Sequence, residues 1–186
     1  MNQHKSLFVR IKSKVYGFLP KFGASPVQRE KYRFAVAEIA NSKKDRRFLN
    51  GEEWHAEIVA GMMVSHAKNE EVLIYSDSLG PEFYAKILLN SYCSFRILLG
   101  NVGNSRALDV IRALPQEAQS RIDFRVSNAP YGKHFLVVGD SIRCEADDDG
   151  NELFVVCNFN EPDAAQRLRD RFESMWEKSP PWSFLY

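Results

Sequence analysis

A chain of 186 residues is long enough to bury the core of one domain, and 45% apolar with 26% charged side chains is the composition of an ordinary soluble globular protein. A formal net charge of +1 gives no global attraction to an acidic or a basic partner. No apolar run approaches the roughly 18 residues that a membrane-spanning helix needs, so no membrane partner is expected.

Residues 1–33 read as a basic N-terminal arm. Lys5, Arg10, Lys12, Lys14, Lys21, Arg29, Lys31 and Arg33 face a single acid there, Glu30. Such a run attracts phosphate backbones or anionic surfaces, although a solvated leader has the same composition. Phe8, Ile11, Val15 and Phe18 recur at helical spacing, and Pro20, Gly23 and Pro26 are expected to break any longer element. Glu30–Asn41 fits a helix or a strand. A short strand is predicted at 47–49. Asn50 then caps a helix with Glu53 three residues on, and Trp54, Ile58, Met62 and Ala67 lie on or near its apolar stripe.

Strands are predicted at 71–76, 93–99 and 121–126, separated by helical patterns at 82–92 and 105–114. Three further strands follow at 134–138, 141–146 and 153–158, the last two joined through Asp147-Asp148-Asp149-Gly150, a sequence suited to a hairpin turn. Asn160 is placed as the cap of a final helix with Pro162 in its first turn. Ala165, Leu168, Phe172, Met175 and Trp176 form its apolar stripe, and Arg167, Arg169, Asp170, Arg171 and Glu173 are expected to face water. The tail 179–186 is apolar and carries two prolines, so it cannot extend that helix.

Strands alternating with helices, then consecutive strands and a helix, define a mixed α/β fold: a central mixed β-sheet flanked by helices on both faces. The domain is placed at 34–178, between the arm and the tail. Cys93, Cys144 and Cys157 form no CxxC pair and sit in apolar, strand-like contexts, which predicts buried reduced thiols in a cytoplasmic protein. His55 and His66 are eleven residues apart, too far along a helix to share a metal. Asp147, Asp149 and Asn151 imitate the start of a calcium loop, but Glu152 occupies the glycine position and Asn158 that of the bidentate acid. No metal or other cofactor is expected.

The segment KHFLVVGDSIRCE, Lys133 to Glu145, followed by LFVVCNFNEPDAAQRLRDRFESMW, Leu153 to Trp176, resembles the active-site half of the phospholipase D superfamily. The opening EEWHAEIVAGMMVSHAKNEEVLIYSDSLG is similar to the helix and strand that begin such a half-module. The family pattern is His, any residue, Lys, four residues, then Asp. A histidine of this kind attacks phosphorus, a lysine stabilises phosphoryl charge, and an aspartate orients the imidazole. His134 falls in the histidine position, Leu136 stands where the lysine belongs, Ser141 where the aspartate belongs, and Asp140 is one position early. Strand alternation puts Lys133 on the face opposite His134.

The resemblance implies His134 as nucleophile and, from a second copy of the chain, as general acid. It implies Asp140 as the residue that orients His134, and Arg143, with Glu145 and Lys133, as substrate-binding groups. Arg143 and Glu145 share a strand face, and a cross-strand ion pair on a solvated face is the simpler reading of them. A lone half-module implies a homodimer with the two histidines meeting across a two-fold axis. The substrate class is a phosphodiester, nucleic acid in the first place. The alternative is a catalytically inactive module of the same fold that binds or regulates beside a protein partner.

Overall fold

The structure is a computed structural model that describes residues 25–42, 44–49, 53–67, 69–76, 87–88, 92–100, 109, 111–127, 134–146 and 154–181. The chain divides into the units Met1–Lys31 and Tyr32–Tyr186. In chain order the elements are α1 (Pro26–Ala40), β1 (Arg46–Leu49), α2 (Glu53–Ser65), β2 (Glu71–Ser76), β3 (Ser94–Leu99), α3 (Gln116–Gln119), β4 (Ile122–Val126), β5 (Phe135–Val138), β6 (Ile142–Ala146), β7 (Phe154–Asn158) and α4 (Pro162–Trp176). All seven expected strands form, each within one residue of its predicted start. Asn50 and the Asp-rich turn at 147–150 lie outside the described residues.

Pro26 opens α1 where the sequence predicts a break. Ser25 and Gln28 make the reciprocal bonds of a capping box: the Gln28 amide donates to Ser25 Oγ at 3.3 Å, and the Ser25 amide donates to Gln28 Oε1 at 2.8 Å. A proline at the first helical position loses no hydrogen bond, because that N–H has no partner within the helix. The helix therefore runs without interruption through residue 33.

The seven strands form one sheet in the order β1-β7-β6-β5-β2-β3-β4. β2, β3 and β4 are parallel, and every other neighbouring pair is antiparallel. Gly139 starts the turn between β5 and β6 with φ +54°, a left-handed conformation that only glycine adopts without strain. One face of the sheet carries Val72, Ile74, Ile97, Phe124, Leu136 and Val138 in a core shared with Ile58, Met63 and Val64 of α2 and Val36 of α1. The other face carries Leu73, Tyr75, Leu98, Phe135 and Val137 against Ala165, Leu168, Phe172 and Trp176 of α4. The expected mixed sheet with helices on both faces is thus present. α2 is buried more widely than one stripe, since His55, Ile58, Val59, Ala60, Met63 and Val64 are all inside.

Two expectations for α4 are corrected. Glu161, not Asn160, occupies the cap position, and its side chain makes no cap bond. The Glu161 carboxylate instead binds Arg143, while the Asn160 amide donates to Asn158 Oδ1 at 2.9 Å. Arg169 and Glu173 do not simply face water. Arg169 reaches Glu71 Oε2 at 2.7 Å and the Gly139 carbonyl at 2.8 Å, and Glu173 takes both terminal nitrogens of Arg96 at 2.5 and 2.7 Å. The guanidinium carbons of Arg96 and Arg125 lie 4.4 and 4.5 Å from the Trp176 ring centre. The helix lies flat on the sheet, so residues flanking its apolar stripe meet the charged residues of β2 and β3. Arg125 also donates to the carbonyls of Trp176 and Ser179, and pairs with Pro181 through an isolated bridge, which ties the start of the tail to β4.

Candidate functional site

His134 immediately precedes β5. The β2–β5 ladder pairs Tyr75 with Phe135, and one further step sets His134 across from Ser76, the last residue of β2. Ser76 Oγ and His134 Nδ1 are 2.9 Å apart. Ser76 is buried, and its carbonyl accepts the Gly100 amide at 3.0 Å. The Ser127 amide bonds the Leu99 carbonyl next along, so Ser76, Gly100 and Ser127 mark the carboxyl ends of the three parallel strands. His134 is half-buried there, beside the point where the sheet changes from parallel to antiparallel. The crevice at the carboxyl ends of such strands is where open α/β sheets bind ligands.

The other residues expected at the site lie elsewhere. Leu136 shares a face with His134 but is buried in the α2-side core, so the position of the family's lysine belongs to the interior. Asp140 sits in the β5–β6 turn with its side chain 97% exposed, and its near neighbour is Arg169 at 3.9 Å. The four steps from His134 to Val138 alone span about 13 Å of strand. Asp140 and the imidazole are therefore at opposite ends of β5 and do not meet. Lys133 lies outside the described residues.

Arg143 is opposite Val137 and so projects on the α4 face, away from the face that His134 shares with Leu136. Its guanidinium is enclosed by carboxylates: Nε to Glu161 Oε2 at 2.5 Å, Nη1 to Glu145 Oε1 at 2.6 Å and Nη2 to Asp45 Oδ1 at 2.9 Å. Asn158 Nδ2 adds a fourth polar group, donating to the same Asp45 oxygen at 3.0 Å. Arg143 and Glu145, expected to hold substrate, hold each other. The pairing is along one strand, with Arg143 buried and Glu145 half-buried, unlike the solvated cross-strand pair that the pattern also allows. Burial opposes the guanidinium charge, but the Glu161 hydrogen bond and the charges of Glu145 and Asp45 outweigh it and raise the Arg143 pKa. The Asn158 hydrogen bond and Arg143 hold the Asp45 carboxyl below its ordinary value.

A second charged set clamps α4. Hydrogen bonding from Arg96, and then its charge, lowers the Glu173 pKa. Both carboxylates thus bind protons less readily in the folded chain than in the unfolded one. Stability is expected to be complete above about pH 5 and to fall as acid protonates Asp45 and Glu173. Urea midpoints measured from pH 7 to pH 3 check this, and a midpoint that rises as pH falls contradicts it.

Among the described residues, no three His, Cys, Asp or Glu side chains gather to hold a metal ion. His55 is buried against Tyr32 and Trp54, whereas His66 is exposed with Nδ1 at 2.8 Å from the Met62 carbonyl. None of the three cysteines forms a disulfide. Cys144 and Cys157 face each other across β6 and β7, and burial, then the neighbouring Cys144, pushes the Cys157 thiol well up. Among the described residues, no helix is long and apolar enough to cross a membrane. Ser76 is the site residue that the sequence does not disclose, because a serine closing an apolar strand has no distinguishing pattern until its ladder partner is known.

A seven-stranded mixed sheet with parallel β2-β3-β4, a histidine at their carboxyl ends and a long helix on the opposite face define a phospholipase D-like fold. Solved structures bear this out. Nuc from Salmonella typhimurium, a phospholipase D family member, superposes with a TM-score of 0.57 at 12% identity, over 75% of this chain and 97% of its own. NucT from Helicobacter pylori gives 0.55 at 14% identity, over 75% and 99%. TrmBL2, an archaeal chromatin protein with a novel mode of DNA binding, gives 0.56 at 13% identity, over 96% of this chain and 68% of its own. At such identities the likeness is one of fold. No protein-family model matches the sequence, and no curated protein matches it.

Proposed function

We propose that this chain acts on phosphodiesters, with nucleic acid as the substrate class, through His134 in a homodimeric phospholipase D-like assembly. The observation that carries the reading is the placement of His134: half-buried, hydrogen-bonded through Nδ1, and set at the carboxyl ends of β2, β3 and β4. Nδ1 is directed at Ser76, so Nε2 turns to the other side of the ring, where attack on phosphorus would occur. Such an attack forms a phosphohistidine and splits one difficult displacement into two. A two-fold axis would bring a second His134 to protonate the leaving oxygen. Lys133, next to His134 in sequence, is proposed to bind phosphoryl oxygens in place of the lysine that the resemblance implies. The exposed Lys44 before β1 and Arg46 at its start, with the basic stretch before residue 34, would add salt-dependent attraction to a nucleic-acid backbone.

The test is hydrolysis of single- and double-stranded DNA and RNA, and of bis(p-nitrophenyl) phosphate, by the purified chain and by His134→Ala. The variant is expected to lose about 100-fold or more in rate while its thermal midpoint stays within a few degrees. Equal rates in the two proteins remove the proposal. Sedimentation of the same samples checks the dimer.

A second reading has specific support. Leu136 is committed to the core and Arg143 to three carboxylates, so neither supplies the charge stabilisation that is usually the largest catalytic effect. A module of this fold that binds nucleic acid or a protein partner without hydrolysis would show salt-dependent binding, and no turnover in either protein.

A further inference from the structure

We infer that Ser76 is the positioning residue for His134: its hydroxyl oxygen accepts a hydrogen bond from Nδ1–H and so fixes the tautomer in which Nε2 carries the lone pair. The inference rests on the reading of His134 as nucleophile. In the family pattern this task falls to an aspartate, and here Asp140 stands at the far end of β5 with its side chain in water. Ser76 Oγ, in contrast, is 2.9 Å from Nδ1. The ladder places the two residues directly opposite, so the contact follows from sheet register and needs no loop to form it. Ser76 is 5% exposed, and a hydroxyl in so dry a position keeps its hydrogen bonds because water cannot replace them. The second ring nitrogen of a working histidine is commonly assigned its role by the hydrogen bond that the first one makes.

The chemical class of the partner has a consequence. A carboxylate beside Nδ1 adds a negative charge next to the phosphate that the ring must approach. A serine orients the ring without that charge. The site therefore keeps a more favourable potential for an anionic substrate, which matters where Leu136 has taken the place of the lysine.

The test has two independent readouts. Nitrogen-15 spectra of histidine-labelled protein, with the His134 signals assigned by their loss in His134→Gln, report which nitrogen carries the proton in the neutral ring. The expected result is Nδ1–H in the natural chain, a shift toward Nε2–H in Ser76→Ala, and recovery in Ser76→Thr. An Nε2–H ring in the natural chain, or no change in Ser76→Ala, overturns the inference. In hydrolysis, Ser76→Ala is expected to lower kcat about tenfold with KM little changed, Ser76→Thr to restore it, and Ser76→Asp to raise KM by charge repulsion. A fall in kcat that Thr does not restore, with the fold intact, also overturns it. If no protein hydrolyses a phosphodiester, the nucleophile reading fails, and the spectra alone still decide whether Ser76 sets the ring.

Discussion

Replacing Arg143 by alanine is expected to destabilise the fold by about 1.5–3 kcal/mol, the range for hydrogen bonds to charged groups, because the three carboxylates it binds are 31–55% exposed and water screens part of their charge. The guanidinium is buried, and it joins three separate parts of the chain: Asp45 before β1, Glu145 on its own strand, and Glu161 at the head of α4. Its loss leaves three carboxylates close together with no cation among them. The pH dependence should then change sign locally. In the natural chain Asp45 is held ionised, so acid weakens the fold. In Arg143→Ala the crowded carboxylates would take up protons more readily than in the unfolded chain, so lowering the pH from 7 toward 5 should recover part of the loss. Urea denaturation at both pH values measures both effects. A variant as stable as the natural chain, but with weaker affinity for a nucleotide phosphate, would return Arg143 to the substrate-binding role that the family resemblance implies.

Leu136→Lys carries the other large effect. Restoring the family's lysine two residues after His134 looks from the sequence like a repair. In the fold it is expected to cost about 5 kcal/mol or more, because it removes a packed side chain and places an unpaired ammonium in an apolar interior. Leu136 lies 8% exposed in the core formed with α2, and its neighbours in the row across the sheet are Ile74 and Cys144. The expected outcome is a largely unfolded or aggregated protein without added activity. Leu136→Met, which conserves volume, should cost less than about 1.5 kcal/mol and serves as the control. A folded Leu136→Lys with raised hydrolysis would show that this side chain turns into the crevice, and that the natural chain is one substitution from full activity.

The histidine position remains at the rim of the sheet with a hydrogen-bonded ring. Leu136, where the resemblance places a lysine, is packed in the core, and Arg143 serves the joint between α4, β6 and the approach to β1.

Much of the architecture is legible along the chain. The seven strands follow from short apolar runs between turn residues, and α4 from apolar positions three and four apart behind Pro162. The start of α1 is written as Ser25-Pro26-Val27-Gln28, a capping box with proline at the first helical position, although a proline after a glycine invites reading as a break. The position of His134 at the head of a buried strand is also local information. Its surroundings are not. Ser76 is 58 residues away, and it becomes a neighbour only because β5 pairs antiparallel with β2 rather than with any other strand. Asp45 is 98 residues from Arg143, and reaches it because β1 closes the sheet beside β7. Asp140 is close to His134 in sequence and remote in space, since an extended strand carries its two ends apart. Periodicity along the chain determines which residues make elements and which face is apolar. Strand order determines which polar side chains meet, because a ladder brings together residues with no local relation, and that order is a property of the whole sheet.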